Sequence, residues 1–381
     1  MRKINVATVF SGIGAFEFAL RRMNVDHKIL FACDNGEREI SYDSISEFTK
    51  VRSLNSAKEK CDYVEKLYAS LTRHHNFVKD SYLKNYGESK GYYFEDIKLL
   101  DGSDFKGKVD IFVGGSPCQS FSSVGFQGGL EDARGTLFYE FARLVKEIQP
   151  KVFIYENVRN LLNHDKGNTW NVIKGIFDSL GYRYYFKVLN AADYGVPQIR
   201  RRLFVVGFKD DVEFEMPIEH KSKFLMKDFL MDNCPYKSFS FNGDGTLSIK
   251  KGKGYVDKKY FLSPLLYKYV MSGGTKTFYQ KPEINLPIAR TLLKTMGNRH
   301  RAGIDNYVSI DGSTELGKVR MLTERECHRL MGFTDDYQIV VSKAQAYKQA
   351  GNSIVVDVMM SILSSIFKTG IFDKEVDYEK D

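Results

Sequence analysis

The stretch INVATVFSGIGAFEFALRRM, residues 4–23, decides how the chain folds. Its opening run, Ile4 to Phe10, is rich in β-branched and apolar side chains, the pattern of a strand buried on both faces. Ser11, Gly12, Ile13 and Gly14 interrupt it with two glycines, and Ala15 to Met23 resume as a helix. A strand, a glycine turn and a helix in that order open a doubly wound α/β sheet.

The alternation continues outward from this unit. Ile29 to Cys33, Val109 to Val113, Val152 to Tyr155, Tyr184 to Leu189 and Leu203 to Gly207 predict further strands, with helices over Thr136 to Gln149 and Trp170 to Leu180. The expected fold class is α/β, a doubly wound, mostly parallel sheet covered on both faces. Ligands of such sheets bind beyond the carboxyl ends of the strands, so the residues just after each strand are the site candidates.

Two regions depart from the alternation. Residues 41–90 form a polar, helix-prone insert in which Val64, Leu67, Tyr68 and Leu71 fall at helical spacing, which predicts an amphipathic helix pair packed on the domain. His74 and His75 within it lack Cys or His companions, so no metal site is expected. After about Phe208 the sequence turns rich in Gly, Lys and Tyr, and GDGTLSIKKGKGYVDKKY reads as hairpins and long loops of a smaller, irregular β-rich domain. Helical order returns at Thr323, whose capping box with Glu326 starts a helix that Gly332 can end. A last apolar helix follows Ser353 through Val355, Val356, Val358, Met359 and Ile362.

Composition narrows the partners. With 43% hydrophobic and 27% charged residues, disorder is excluded as the dominant state. The first apolar run breaks at glycines, as a buried strand does and a signal peptide does not, and no stretch is read as approaching the roughly 20 apolar residues of a membrane span. Five cysteines without CxxC spacing leave at least one free thiol, which points to a reducing, cytoplasmic compartment. The net charge is +8, and the segment from Lys221 to Lys318 holds 17 basic and 8 acidic residues, so this one segment carries the positive field.

Several strand ends carry chemistry. The Phe10-Ser11-Gly12-Ile13-Gly14 loop lets backbone approach a nucleotide-like ligand, and Asp34 at the next strand end can accept both ribose hydroxyls; NAD and S-adenosylmethionine both satisfy this pair. Asp96, near the end of a third candidate strand, can accept from an adenine amino group. The segment Gly114-Gly115-Ser116-Pro117-Cys118-Gln119-Ser120-Phe121-Ser122 places a cysteine directly after an apolar strand, where ligands bind, although a lone buried Cys is more often a small hydrophobe.

That loop resembles the proline-cysteine loop of the cytosine-5 DNA methyltransferases, and the resemblance continues in order along the chain. Glu156-Asn157-Val158 is similar to that family's Glu-Asn-Val element, and Gln198-Ile199-Arg200-Arg201-Arg202 to its Gln-x-Arg-x-Arg element. Arg134-Gly135-Thr136-Leu137-Phe138 matches the helix start after the cysteine loop, and Arg320 to Phe333 the segment leaving the recognition region. Gln349-Ala350-Gly351-Asn352-Ser353 matches its final motif. Departures are Thr8 where an acid is common, Ala15 for a glycine, and Asn35 where an adenine-stacking aromatic is often found.

The resemblance implies a fold of the S-adenosylmethionine-dependent methyltransferase type and a chemistry. Cys118 would add as thiolate to carbon 6 of cytosine, Arg200 or Arg202 would supply the cationic field that favours the thiolate, and Glu156 would hold ring nitrogen 3. S-adenosylmethionine, leaving as S-adenosylhomocysteine and with no metal, would be held by Phe10, Ser11, Gly12, Ile13, Gly14, Asp34, Asp96, Ile97, Pro117, Leu137, Asn352 and Ser353. The catalytic domain would comprise residues 1–220 and 342–381, and a target-recognition domain and hinge residues 221–341. The expected partner is double-stranded DNA with the target base flipped out, not a membrane; the chain is expected to be a monomer in the bacterial cytoplasm. It would serve as the protective methylase of a restriction-modification system, whose endonuclease forms no stable complex with it. An RNA cytosine methyltransferase and a catalytically silent DNA-binding relative remain alternatives.

Overall fold

The computed structural model describes residues 2–87, 92–117, 137–220, 223–231, 236–241, 247–252, 256–275, 278–298, 300–301, 303–309 and 312–373. Its centre is a seven-stranded sheet in the order β3-β2-β1-β4-β5-β7-β6, built from β1 (Ile4–Val9), β2 (His27–Cys33), β3 (Tyr93–Phe94), β4 (Ile111–Gly114), β5 (Val152–Val158), β6 (Arg183–Asn190) and β7 (Arg201–Phe208). Strands β3, β2, β1, β4 and β5 pair in parallel, and β7 runs antiparallel between β5 and β6. The mostly parallel sheet read from the sequence is the one observed. The strand order reverses direction between β1 and β4, and loops leaving their carboxyl ends open a crevice there.

Both faces are covered because the central strands are apolar on both sides. Ile4, Val6, Ile111, Val113, Val152 and Ile154 point to one core, packed by α1 (Ala15–Arg22) and the terminal helix; Ala7, Val9, Phe112, Phe153 and Tyr155 point to the other, packed by α5 (Leu137–Ile148) and α6 (Asn168–Ser179). Alternation at period two within each strand produces this division.

The insert holds three helices in place of the expected pair: α2 (Ser44–Arg52), α3 (Ala57–Leu71) and α4 (Phe77–Asn85). Side-chain caps start each of them, from Asp43, Ser56 and Asn76, which is why one polar stretch divides into three. Val64 and Tyr68 are buried with Val51 and Leu99, whereas Leu71 at the end of the stripe is exposed.

Beyond β7 the elements are short: a hairpin of β8 (Tyr236–Phe241) and β9 (Leu247–Gly252), helix α7 (Pro264–Val270), and two-stranded pairs β10 (Gly274–Thr275) with β11 (Phe278–Tyr279) and β12 (Tyr307–Ser309) with β13 (Val319–Met321). Helix α8 (Glu324–Arg329) begins at the expected capping box, with Thr323 N–H donating to Glu326 Oε2 at 2.7 Å and Glu326 N–H to Thr323 Oγ1 at 3.2 Å. Phe333 and Tyr337, just after it, pack on Phe18 of α1 at ring separations of 5.1 and 5.7 Å.

The chain closes with α9 (Lys343–Asn352) and α10 (Val356–Lys368). The stretch Lys343–Lys368 is long and apolar enough, by length and composition, to cross a membrane, which corrects the expectation that no stretch approaches that length. It is broken in the middle, since Ser353 and Val355 have extended backbone, and Val356, Met359, Ile362 and Ile366 are fully buried. An ion pair of 2.8 Å between Arg22 and Asp357 ties α10 to α1.

Candidate active site

Four strand ends, the start of β7, the start of α4 and the end of α9 meet around one cavity of about 320 Å³. From β1 come Phe10, Gly12 and Ile13; from β2, Asp34 through Glu37; from β4, Gly115, Ser116 and Pro117; from β5, Glu156 and Asn157; from the start of β7, Arg200 and Arg202; and from α9, Gly351, Asn352 and Ser353. A separate cavity of about 280 Å³ lies behind the sheet near Arg22 and Arg329, and its charged walls are already paired to Asp357 and Asp335.

The first loop is fixed from both sides. Phe10 and Gly12 adopt left-handed backbone, φ 52° and 54°, which turns the loop's N–H groups toward β2. Gly12 N–H donates to Asp34 Oδ2 at 2.9 Å and Gly36 N–H to Oδ1 at 2.8 Å, while Ser11 bonds the backbone of Cys33. Burial raises the Asp34 carboxyl above its ordinary pKa, and these two N–H groups oppose the rise. Thr8 donates to the buried Glu17 of α1 at 2.7 Å, so an acid stands behind this loop although position 8 lacks one.

At β4 and β5 the geometry is set by a closed polar network. Asn157 donates through Nδ2 to the Ser116 carbonyl at 2.9 Å and to the Tyr155 hydroxyl at 2.7 Å, and Tyr155 and Ser116 hydroxyls lie 2.7 Å apart. Ser116, Tyr155 and Asn157 are all buried, so the backbone leading to Pro117 is held by satisfied hydrogen bonds. A Cβ at Gly115 would lie 2.8 Å from Glu156 Oε2 and 3.1 Å from the Glu156 carbonyl oxygen, so a side chain there would displace the Glu156 carboxylate. Cys118 lies outside the described residues.

Glu156 and Arg202 occupy diagonal positions on the antiparallel β5–β7 pair, where Val158 opposes Arg202 and Glu156 opposes Phe204. Their side chains therefore meet, Arg202 Nε to Glu156 Oε1 at 3.1 Å. Burial pushes the Glu156 pKa up, while Arg202 and then Arg200 pull against it. Arg200 is buried and donates to the carbonyls of Leu292, Gly351 and Ser353 at 2.8 to 2.9 Å, clamping the 292 segment to the end of α9. Burial and the neighbouring Arg202 push its pKa down to about 9, which leaves it charged at neutral pH. Its Nε has no hydrogen-bond partner among the described residues.

The structure brings Phe10, Gly12, Ile13, Asp34, Pro117, Glu156, Arg200, Arg202, Asn352 and Ser353 together at this cavity. Ser11, Gly14, Asp96, Ile97 and Leu137 are not among its walls. Asp96 is turned into the insert, where it accepts from Tyr42 at 2.5 Å, Tyr68 at 2.8 Å and Lys98 N–H at 2.9 Å. The Gly14 carbonyl is covered by the Tyr86 hydroxyl at 2.6 Å. Sequence reasoning missed Phe77 and Val78 of α4, and Lys294 and Lys348, which pair with Glu37 at 3.3 and 2.7 Å across the rim. No motif flags these residues, because partners such as Glu37 and Lys348 are brought together only by the closed fold.

The arrangement offers a carboxylate cradled by backbone N–H groups at one end, and a buried acid paired to an arginine at the other. A family model described as C-5 cytosine-specific DNA methylase matches residues 53–368. The type II methyltransferase M.SsoII of Shigella sonnei is 36% identical over 300 residues, covering 77% of this chain and 72% of that one. M.HhaI of Haemophilus parahaemolyticus, also a type II methyltransferase, is 35% identical over 260 residues, covering 68% and 75%. The crystal structure of the S. pombe Dnmt2 methyltransferase superposes with a TM-score of 0.66 over 97% of this chain and 100% of its own, at 15% identity, a likeness of fold.

Proposed function

The chain belongs to the C-5 cytosine-specific DNA methylase family, and from that premise we propose that it methylates carbon 5 of a cytosine flipped out of a short duplex sequence, with Cys118 as nucleophile and S-adenosylmethionine as donor. The observation that carries this reading is the juxtaposition of Glu156 and Arg202 with the pinned Gly115-Ser116-Pro117 backbone in one cavity that also holds Gly12, Asp34, Asn352 and Ser353.

The residues fit such a donor. Asp34 would take the ribose hydroxyls, and Phe10, Gly12, Ile13, Pro117, Asn352 and Ser353 would line its path, with room left where Gly115 carries no side chain. When bound, S-adenosylmethionine supplies an electrophilic methyl group on sulfur. Cys118 then has the task of making carbon 5 of cytosine nucleophilic. Its thiolate adds to carbon 6, and the electron pair of the 5,6 double bond shifts toward carbon 5. Glu156, whose pKa burial raises, hydrogen-bonds nitrogen 3 so that charge does not accumulate on the ring. Once carbon 5 carries the methyl group, whose bond to sulfur breaks with the electron pair left on sulfur, loss of the carbon 5 proton to a base restores the double bond and expels the Cys118 thiolate.

Residues 1–220 with 342–381 would form the catalytic domain and 221–341 the recognition domain and hinge, whose basic surplus suits phosphate contacts. The likeness to type II methyltransferases suits a protective role in a restriction-modification system, in which the chain would act as a monomer in the bacterial cytoplasm. The test is methyl transfer from S-adenosylmethionine to unmethylated duplex DNA with base-resolution mapping, alongside Cys118→Ser. One short methylated sequence, lost in the variant while DNA binding persists, is expected. Methylation of tRNA instead, or none with both ligands bound, would overturn the reading in favour of an RNA enzyme or a silent relative.

A further inference from the structure

We infer that the insert completes the donor site, with the ring of Phe77 forming the face on which the adenine of S-adenosylmethionine stacks. This rests on the donor reading above. Phe77 and Val78 line the cavity beside Asp34, and Phe77 is 37% exposed although its ring meets that of His75 edge-on at 4.9 Å. Asn76 caps α4 by accepting from Lys79 N–H at 3.0 Å and donates to the Asp34 carbonyl at 3.0 Å. Gln349 of α9 donates to the Phe77 carbonyl at 2.9 Å. The backbone on both sides of the ring is thus tied to the elements that carry Asp34 and Ser353.

Asn35 supplies no flat apolar face at this end. Its amide is spent on its own loop, Nδ2 donating to the Arg38 carbonyl at 3.1 Å and Oδ1 accepting from Glu37 N–H at 3.0 Å. Asp96 is turned away, accepting from Tyr42 and Tyr68 of the insert and from Lys98 N–H. Beside the aliphatic Ile13 and Val78, the aromatic rings in the cavity wall that a purine can stack on are Phe10 and Phe77. Leaving an aromatic ring exposed to water is unfavourable, and a stacked base removes that exposure.

The test is calorimetric binding of S-adenosylhomocysteine and of adenosine to the full-length protein without DNA. Phe77→Ala is expected to weaken both ligands by roughly ten- to a hundredfold, and Phe77→Trp to retain them. In a Trp170→Phe background, which removes the single native tryptophan, the fluorescence of Phe77→Trp should be quenched by adenosine. Circular dichroism and the melting temperature identify a variant that has merely unfolded, and Phe77→Trp then carries the test alone. Unchanged affinities in Phe77→Ala, a loss confined to S-adenosylhomocysteine, or an unquenched tryptophan would overturn the proposal. Failure of the unmodified protein to bind S-adenosylhomocysteine would instead overturn the donor reading itself.

Discussion

Arg202 holds Glu156 through a 3.1 Å contact between Nε and Oε1, on the β5–β7 pair, whose antiparallel register brings residues two apart into diagonal reach. The pair is a balance of opposed effects, since burial raises the carboxyl pKa and the guanidinium restrains the rise. Arg202→Gln removes the restraint and leaves the burial. The Glu156 carboxyl pKa should move further upward, read by carbon NMR of glutamate-labelled protein with Glu156→Gln as the blank. Turnover should fall in both variants, in Glu156→Gln by about a hundredfold or more. An unmoved titration in Arg202→Gln would mean that the contact does not govern the acid.

Tyr155→Phe removes one hydroxyl from a buried three-residue network. Asn157 Nδ2 and Ser116 Oγ each lose a partner at 2.7 Å, and both residues are buried. The expected cost is about 1–3 kcal/mol of unfolding free energy in urea titration. Because the Ser116 backbone precedes Pro117 and Cys118, turnover should fall as well, while S-adenosylhomocysteine affinity stays near that of the parent protein. A variant of unchanged stability would show the network to be dispensable.

Much of this arrangement is legible in the sequence, and the limits have physical causes. The strands β1, β4, β5 and β7 announce themselves as apolar runs, and the residues after them are the ones that meet at the cavity. Strand β3 has only two residues, too few for any period to show. Asp96 follows a strand end as predicted, but no local pattern reveals that Tyr42 and Tyr68 fold back onto its carboxylate. The family resemblance implies Arg200 or Arg202 as the thiolate-tuning cation, while the described bonds of Arg200 go to three carbonyls from distant segments. Local periodicity specifies elements; contacts between distant segments depend on how those elements close.

Gly351→Ala tests one such closure. A Cβ there would lie 2.3 Å from Lys294 N and 2.4 Å from the Leu293 carbonyl carbon, and backbone atoms cannot swing aside as a side chain does. Arg200 bonds both Leu292 O and Gly351 O, so spreading the two segments strains the clamp. Thermal unfolding should report a loss of about 1–3 kcal/mol. Binding of S-adenosylhomocysteine should weaken too, because Asn352 and Ser353 move with α9. Unchanged stability would mean that the 293–294 backbone yields freely.

Glu17 offers a test by pH. Its carboxyl is buried, Oε1 accepts from Thr8 and Tyr82 at 2.7 Å each, and Oε2 has no partner among the described residues. Desolvation raises its folded pKa above the ordinary 4.5, outweighing the two hydrogen bonds. The folded state therefore binds the proton more tightly than the unfolded one. Its contribution to stability is full below pH 4.5 and is lost as pH rises through the elevated folded value. Glu17→Gln cannot ionise and escapes that loss, while other titrating groups act alike in both proteins and cancel in the difference. Urea unfolding at a series of pH values should show the variant gaining on the parent protein as pH rises from 4.5, then holding a constant margin above the folded pKa. A margin that does not change with pH would place the Glu17 pKa at its ordinary value despite the burial.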